Sequence, residues 1–409
     1  MATDYEDYKR RIKQEVLDRI DMMDQQDDAA IKELIDDSLE KSENFHVIPL
    51  SKRIQLSKEI FYSIRRLDIL EELTEDPKVT EIMINGKDNI FIERDGRIYK
   101  WNKAFESDSK LEDVIQQIVA KCNRTVNESS PIVDARLANG SRVNIVLPPI
   151  SLSGPIVTIR KFPDKPIDMD KLISFGAISK EVVLFLEKLV KAKYNIIISG
   201  GTGSGKTTFL NALSNYIPKD ERLITIEDSA ELQIQGVSNL VRLETRNANV
   251  EGCKEITIRD LIKSSLRMRP DRIIVGEVRG SEAIDMVQAL NTGHDGSLST
   301  GHANSAKDML ARLETMILMG MDLPLSAIRG QLASGIDIIV HLGRLRDKSR
   351  KVLCIEEVLE LKDNSIETNV LYQFEEEGEN DEGKIIGTLQ KKEELVHKEK
   401  LKAAGIARL

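Results

Sequence analysis

The chain has 409 residues, of which 41% are hydrophobic and 31% charged, and its formal net charge is −9. This length allows two or three domains, the apolar fraction excludes a disordered protein, and the acidic balance argues against direct nucleic-acid binding. No apolar run reaches the roughly 18–20 residues of a membrane span, and the acidic N-terminus lacks a signal peptide, so we expect a cytoplasmic protein that reaches a membrane only through a partner.

Residues 1–75 are predicted to form a helical N-terminal region. Apolar side chains recur at helical spacing in three stripes, with Ser57 as the expected N-cap of the third helix. The stripes consist of Ile12, Val16, Ile20 and Met23; Ile31, Leu34, Ile35 and Leu39; and Ile60, Ile64, Leu67 and Leu70. They fit a small bundle or adaptor arm, and they equally fit a set of solvent-bridging helices.

Residues 76–162 change to a pattern of hairpins around one helix. An Asp-Gly turn divides residues 90–99 and an Asn-Gly turn divides residues 134–144, as in β-hairpins. Between them, residues 111–118 carry the apolar spacing of an amphipathic helix. A small α+β domain is therefore predicted, followed by a linker at the prolines Pro163 and Pro166.

The stretch from Gly200 to Thr207 fits the phosphate-binding pattern G-x-x-x-x-G-K-[ST]. A β-branched run at residues 195–198 predicts a buried strand before it, and a helix is predicted after it. Glycines let backbone N–H groups turn toward a phosphate, and the helix N-terminus adds further donors. Lys206 is expected to pair with the β- and γ-phosphates, and the Thr207 hydroxyl to bind Mg²⁺. The predicted ATP site comprises Gly201, Thr202, Gly203, Ser204, Gly205, Lys206, Thr207 and Thr208.

Two further predicted strands end in carboxylates. Glu227 and Asp228 follow an apolar strand, where a carboxylate can orient or deprotonate water, although an ordinary acidic turn is the alternative. Glu277 ends a second, β-branched strand as in a Walker B motif, but Gly276 occupies the place where most phosphate-loop ATPases carry the Mg²⁺-binding aspartate. We therefore expect Glu277 to act on the Mg²⁺ shell and the water, with Glu227 assisting the water.

Residues 292–304 contain His294 and His302 in a stretch rich in glycine, serine and threonine. No carboxylate lies at metal-ligand spacing, so a zinc site is not expected. A histidine at a strand end can instead donate a hydrogen bond to a γ-phosphate, and His302 is the candidate. Beyond about residue 366 the chain becomes polar, and we interpret the acidic run at residues 375–382 as a solvated loop.

Together these motifs resemble those of the type II/type IV secretion ATPase superfamily, and within it the CpaF branch of tight-adherence (Flp) pilus motors. The matching segments are the Walker A loop at 200–208, the aspartate box at 224–229, the atypical Walker B at 273–277 and the histidine box at 293–304. The stretch from Asp134 through Arg142 to residues 158–162 resembles the family's N-terminal domain and linker. The resemblance covers roughly residues 80 to 360.

The expected fold is α/β, with a RecA-like P-loop ATPase domain preceded by a small α+β (PAS-like) domain. The expected parts are a helical region at 1–75, the α+β domain at 76–162, a linker at 163–174, the ATPase domain at 175–365 and a polar C-terminal tail at 366–409. The resemblance also implies that Arg136, Arg142 and Arg160 reach the nucleotide, where guanidinium groups stabilise the transferring phosphoryl group. The alternative for each is a surface arginine on a strand.

The resemblance implies a homo-hexameric, Mg²⁺-dependent ATPase at the inner face of the plasma membrane, docked on a polytopic inner-membrane platform protein. Such motors use ATP to assemble or retract pili and to drive related secretion. A type IV secretion or conjugation ATPase shares all four motifs and remains open. A nucleic-acid motor is disfavoured by the acidic charge and by the lack of a basic-aromatic stripe.

Overall fold

The computed structural model describes residues 2–20, 27–42, 48–94, 96–122, 124–162, 166–246 and 254–406. The chain divides into two compact units, Met1–Pro163 and Asp164–Leu409. Each unit has apolar cores of its own: a helical core and a sheet core in the first, and a core on each face of a large sheet in the second.

The first unit opens with helices whose apolar stripes pack against one another. These are α1 (Ala2–Ile20), α2 (Asp28–Glu40) and α3 (Leu50–Arg65). The short α4 (Leu70–Glu75) packs instead into the core of the following sheet, so Leu67 and Leu70 of the third predicted stripe are separated from Ile60. Ile12, Ile35 and Ile60, one from each of the first three helices, are fully or almost fully buried in a shared core. Because a solvent-bridging helix would not bury its stripe, these helices form a bundle.

The predicted cap of α3 is wrong. The helix already begins at Leu50, after Pro49, so Ser57 lies inside it. There its hydroxyl donates to Asp36 of α2 at 2.8 Å. A serine inside a helix can bond to a neighbouring element, which sequence spacing does not distinguish from a cap. Met23, predicted on the first stripe, lies outside the described residues.

The remainder of the first unit is an antiparallel sheet with helix α5 (Asp108–Ala120) on one face. Its strands are β1 (Val79–Asn85), β2 (Ile90–Arg94), β3 (Arg97–Lys100), β4 (Ile132–Arg136), β5 (Arg142–Val146) and β6 (Ile156–Arg160), in the order β3-β2-β1-β6-β5-β4. Both predicted hairpins occur, and Gly96 and Gly140 adopt positive φ angles of 72° and 87° at their turns. The predicted small α+β arrangement is therefore present.

The second unit is built on a sheet that is parallel through most of its width. Its strands are β7 (Ile196–Gly200), β8 (Leu223–Glu227), β9 (Leu240–Glu244), β10 (Arg272–Val278), β11 (Leu298–Gly301), β12 (Ile338–Arg344), β13 (Arg350–Lys362), β14 (Ser365–Glu379) and β15 (Ile385–Lys391). The order is β15-β14-β13-β12-β7-β11-β10-β8-β9. The strands from β12 to β9 in this order run parallel, and β13 to β15 add an antiparallel edge.

Helices cover both faces of this sheet. They are α6 (Met169–Ser174), α7 (Lys180–Lys191), α8 (Lys206–Ser214), α9 (Ile258–Ser265), α10 (Ala283–Leu290), α11 (Ala306–Gly320), α12 (Leu325–Gly335) and α13 (Glu399–Ala403). Side chains alternate along β7, so Ile196 and Ile198 pack into one core and Ile197 into the other. Burial on both faces explains why the parallel strands read as continuous apolar runs.

The expected linker at 163–174 needs correction. Residues 169–174 form α6, and the Asp168 side chain caps it by accepting a bond from Lys171 N. Met169 and Leu172 are buried in the second unit's core. The sequence did not reveal these two apolar anchors because the short segment around them is mostly polar. Residues 163–165 lie outside the described residues.

The expected polar tail at 366–409 is also wrong, because most of this segment belongs to the sheet. The acidic run at 375–382 is largely the end of β14, and Arg346 pairs there with Glu376 and Glu379. A hairpin at the edge of a sheet is exposed on one side, so it can carry many charges and still form strands. The buried Leu371 and Tyr372 anchor β14 to the core.

Among the described residues, no helix combines the length and apolar character needed to cross a membrane.

Candidate nucleotide-binding site

The predicted site residues converge at the carboxyl ends of β7, β11, β10 and β8, which are consecutive neighbours in the sheet. Lys206 begins α8 after the loop that follows β7, His302 follows β11 directly, and Glu277 lies near the end of β10. Glu227 is the last residue of β8. Parallel strands present their carboxyl ends at one edge, so residues far apart in sequence meet there.

The loop between β7 and α8 depends on glycine geometry. Gly200, Gly203 and Gly205 have positive φ angles of 156°, 73° and 96°. A Cβ on Gly200 would lie 2.5 Å from the Leu342 carbonyl oxygen and 2.6 Å from Ser204 Oγ. Gly205 precedes α8 in the left-handed conformation, and no side chain caps that helix. The uncapped N–H groups at the helix start are therefore donors for an anion.

Lys206 is nearly buried, with 7% of its surface exposed. Its Nζ donates to the carbonyl oxygens of Gly200 and Gly201, both at 3.1 Å, and lies 3.2 Å from His302 Nδ1. The ammonium is thus held against the glycine loop rather than extended into solvent.

His302 connects Lys206 to Glu277. Its Nε2 lies 2.7 Å from Glu277 Oε1. Burial lowers the pKa of His302, with Lys206 lowering it further and Glu277 opposing them. A neutral imidazole can accept at Nδ1 from Lys206 and then carries its one N–H at Nε2, the nitrogen that lies close to Glu277.

Arg279, which the sequence analysis missed, holds the other oxygen of Glu277. Its Nε donates to Glu277 Oε2 at 2.8 Å, and its Nη1 lies 3.9 Å from Asp228 at the end of the neighbouring strand. Glu282 Oε1 fixes the turn by accepting from the backbone N–H groups of Arg279, at 2.7 Å, and Gly280, at 2.8 Å. Arg279 could have been found from the sequence by its position two residues after the predicted Glu277.

Glu227 is buried, with 3% of its surface exposed. Its Oε2 accepts from the backbone N–H groups of Glu231 at 2.6 Å and Leu232 at 2.8 Å, whereas its Oε1 has no hydrogen-bond partner within the described chain. Burial raises its pKa to about 7, although the two N–H groups and Arg242 oppose the rise. Glu227 is therefore poised to exchange a proton near neutral pH.

Steric contact explains why a glycine occupies position 276 of the atypical Walker B strand. A Cβ on Gly276 would lie 2.9 Å from Glu227 Cγ, closer than real Cβ contacts allow. The Gly276 carbonyl also accepts from Thr300 Oγ1 at 2.7 Å. The side chain of Glu227 thus occupies the space in which an aspartate at position 276 would begin.

The donor set suits a Mg²⁺ ion that is held largely by a nucleotide. No group of three or more His, Cys, Asp or Glu side chains that could hold a metal occurs within the described ranges. Mg²⁺ typically takes one or two protein oxygens beside phosphates and water, and the Thr207 hydroxyl and the Glu277 carboxylate are of that kind. The unpartnered Oε1 of Glu227 adds an oxygen for the surrounding water.

In the first unit, the three predicted arginines form a row across the sheet. Arg136 is directly opposite Arg142, and Arg142 is directly opposite Arg160. Directly paired residues share a face of an antiparallel sheet, so the three arginines lie on the same face, and Arg142 Nη2 is 3.9 Å from Asp134. Glu81 of β1 follows in the same row, opposite Arg160.

Residues 65–401 match the family model described as "Type II/IV secretion system protein". The chain belongs to this family. The match includes the glycine loop and every strand end that carries a predicted residue of the second unit. The CpaF branch is a finer assignment than the family match supports.

Relatives in the family are named for transfer and secretion. A putative conjugal transfer protein of Mycobacterium tuberculosis is 34% identical over 290 residues, which cover 69% of this chain and 82% of the relative. The type IV secretion system protein VirB11 of Bartonella henselae is 31% identical over 329 residues, covering 70% and 90%. The Legionella pneumophila ATPase DotB has a similar structure, with a TM-score of 0.51 at 21% identity over 69% of this chain and 78% of DotB. The likeness confirms the predicted α/β, RecA-like fold.

Proposed function

We propose that the chain is a Mg²⁺-dependent ATPase that converts ATP to ADP and phosphate and powers a type II/IV secretion or pilus machine. The supporting observation is the contact chain from Lys206 through His302 to Glu277, which joins the glycine loop to the carboxylate that would act on water. This arrangement gives phosphate a cation, backbone donors and an adjacent carboxylate, which are the parts that phosphoryl transfer requires.

Each residue has a distinct task in this proposal. Lys206 would exchange its two carbonyl partners for phosphate oxygens, since its ammonium already lies at the loop. Glu277, bonded to Arg279 through Oε2, would orient the attacking water. Neutral His302 would turn its one N–H, at Nε2, from Glu277 toward the γ-phosphate when nucleotide binds. Bound Mg²⁺ would neutralise phosphate charge, with Thr207 and Glu277 as its protein ligands.

The test of this proposal is Lys206→Ala beside Lys191→Ala, an exposed lysine that pairs with Glu187 on α7. We expect Lys206→Ala to lose steady-state ATP hydrolysis while retaining a cooperative circular dichroism melt, and Lys191→Ala to match the unmodified chain. Removing a phosphate-facing charge costs about 2–4 kcal/mol of transition-state stabilisation, which is at least a thirtyfold loss of rate. Normal hydrolysis in Lys206→Ala would exclude the glycine loop as the ATP site.

At the level of the machine, we propose a homo-hexameric motor recruited from the cytoplasm to a polytopic inner-membrane platform protein. There it would drive assembly or retraction of a tight-adherence pilus, without binding nucleic acid itself. The support is the resemblance of the four motifs to the CpaF branch. Gene deletion tests it: pili counted by electron microscopy should disappear, or persist without retracting.

A second candidate is a type IV secretion or conjugation ATPase, which the names of the Mycobacterium and Bartonella relatives favour. The same deletion strain separates the two. Loss of plasmid transfer or effector export with normal pili would select this candidate, whereas loss of pili with normal export would select the pilus motor.

The arginine row is proposed to complete the site. Arg136, Arg142 and Arg160 would stabilise charge on the transferring phosphoryl group, as arginine fingers do. Their direct pairing on a common face of the sheet supports a joint role.

A further inference from the structure

A rigid turn joins β12 to β13 and lies beside the glycine loop. Asp347 organises it: Oδ1 accepts from Ser349 N at 2.9 Å, and Oδ2 accepts from Ile385 N at 2.9 Å. Arg346 secures it by donating to Glu376 at 2.6 Å and to Glu379 at 2.8 Å. The turn therefore has a defined shape that does not depend on its remaining charges.

Two other arginines flank this turn and face each other. Arg344, the last residue of β12, is directly opposite Arg350, the first residue of β13. Both are exposed, and neither side chain has a hydrogen bond or ion pair with any other described residue. Like charges directly opposite each other on paired strands are destabilising, with Cβ atoms about 5 Å apart. By contrast, Arg346 between them pairs with Glu376 and Glu379, so carboxylates lie near the turn but pair with neither Arg344 nor Arg350.

The strands on either side of this turn are in contact with the phosphate loop. β12 pairs with β7, and its Leu342 carbonyl lies so close to Gly200 that a Cβ there would be 2.5 Å from the oxygen. Arg350 Cδ lies 3.6 Å from the position of a Cβ on Gly205, the residue before Lys206. An unpaired guanidinium is thus carried next to the backbone N–H groups that would receive phosphate.

We infer that Arg350, with Arg344 beside it, binds the phosphates of the nucleotide from the β12 side of the loop. This rests on the proposed ATP site. His302 and Glu277 approach Lys206 from the other side of β7, through β11 and β10. Since Lys206 serves the β- and γ-phosphates, the β12 side is left with the α- and β-phosphates, which ADP and ATP share. A guanidinium fork suits that diphosphate better than a lysine would.

The experiment compares Arg350→Gln with Arg346→Gln, a matched control on the same turn. For Arg350→Gln we expect the Kd for ADP and for ATP to rise alike, by about tenfold, as one charge-assisted contact is lost. The kcat at saturating ATP should change by less than about twofold, because the contact is the same in ground and transition states. Without nucleotide, Arg350→Gln should melt at or above the temperature of the unmodified chain, since one of two opposed like charges is gone. Arg350→Lys should recover part of the ADP affinity.

Several results would overturn the inference. The first is an unchanged Kd for ADP in Arg350→Gln. The second is a Kd that rises for ATP but not for ADP. The third is an equal rise of the ADP Kd in Arg346→Gln, which would assign the effect to the shape of the turn. If the unmodified chain binds neither ADP nor ATP, the inference and the proposed function fail together. If it binds ADP in an Arg350-dependent way but never hydrolyses ATP, the proposed function alone is wrong.

Discussion

At the residue scale, Glu277 and Glu227 end strands of the same sheet but have opposite surroundings. Glu277 accepts a hydrogen bond from Arg279 at Oε2, and its Oε1 lies 2.7 Å from His302 Nε2. Glu227 is buried, accepts two backbone bonds at one oxygen and leaves the other without a protein partner within the described segments. We therefore assign Glu277 to the Mg²⁺ and water network and Glu227 to assistance of the water.

We expect Glu277→Gln to bind Mg·ATP and to turn it over at most at about a hundredth of the normal rate, which is the usual scale for losing a general base. Glutamine keeps the shape but not the charge or basicity. Glu227→Gln should lose less activity. Nucleotide titration with single-turnover hydrolysis measures both steps. Normal hydrolysis in Glu277→Gln with a dead Glu227→Gln would reverse the two assignments.

The raised pKa of Glu227 makes the stability of the folded chain depend on pH. Its folded value of about 7 exceeds its usual 4.5, so the folded state holds the proton more tightly. The resulting stabilisation is fully present below pH 4.5 and disappears as pH rises through about 7, a change of about 3 kcal/mol.

Glu227→Gln removes this titration and keeps an acceptor for the two backbone N–H groups. Urea unfolding without nucleotide should therefore show the unmodified chain losing stability relative to Glu227→Gln between pH 5 and 8. If the free energies of unfolding of the two proteins change in parallel with pH over that range, the pKa of Glu227 is not raised.

At the scale of elements, the C-terminal segment closes the sheet opposite the site. Glu357 of β13 is buried and accepts from the backbone N–H groups of Val396 at 2.8 Å and His397 at 2.7 Å. Lys400 bridges Asp337, at 2.6 Å, and Asp295, at 2.8 Å, which precede β12 and β11. Residues 393–403 are thus tied to the sheet through both backbone and side-chain contacts.

Leu401→Ala should lower the free energy of unfolding by about 2–4 kcal/mol, because Leu401 is buried in the second unit's core. The neighbouring Lys402 is exposed on the same short helix, so Lys402→Ala serves as the control and should change stability by less than about 0.5 kcal/mol. Urea unfolding measures both. Equal stability of the two variants would mean that the segment is not part of the cooperative unit.

Local signals predicted the central elements well. The glycine loop, its preceding strand and the strand ending in Glu277 each depend on a few consecutive residues. β14 was missed because only Leu371 and Tyr372 are buried and its last five positions are mostly glutamate, as an edge strand allows. The place of Arg350 beside the glycine loop and the contact of Glu227 with Gly276 follow from strand pairing across the sheet, which no short stretch of sequence specifies.

At the scale of the whole molecule, the proposed ring of identical chains could be needed for hydrolysis if the arginine row of one chain serves the glycine loop of another. We therefore expect specific ATPase activity to rise with protein concentration until the ring is complete. Light scattering on the same dilution series measures the assembly. Constant specific activity of a monomer throughout the series would contradict the proposed ring.

Mixing two inactive variants tests the arginines themselves. Lys206→Ala keeps the arginine row and loses the phosphate lysine, whereas Arg142→Ala does the reverse. If arginines act across chains, the mixture should regain a measurable part of the ATPase activity that neither variant has alone. A mixture as inactive as its components would place the arginines at the site of their own chain.

The packing of Glu227 against Gly276 also limits how this site can evolve. An aspartate at position 276 would collide with the side chain of Glu227, so a side chain at position 276 requires a smaller residue at position 227. In divergent members of the lineage, we expect a residue with a side chain at position 276 to occur together with a smaller residue at position 227. On that view, the glycine of this Walker B strand is inherited together with the residue on the neighbouring strand that fills the space beside it.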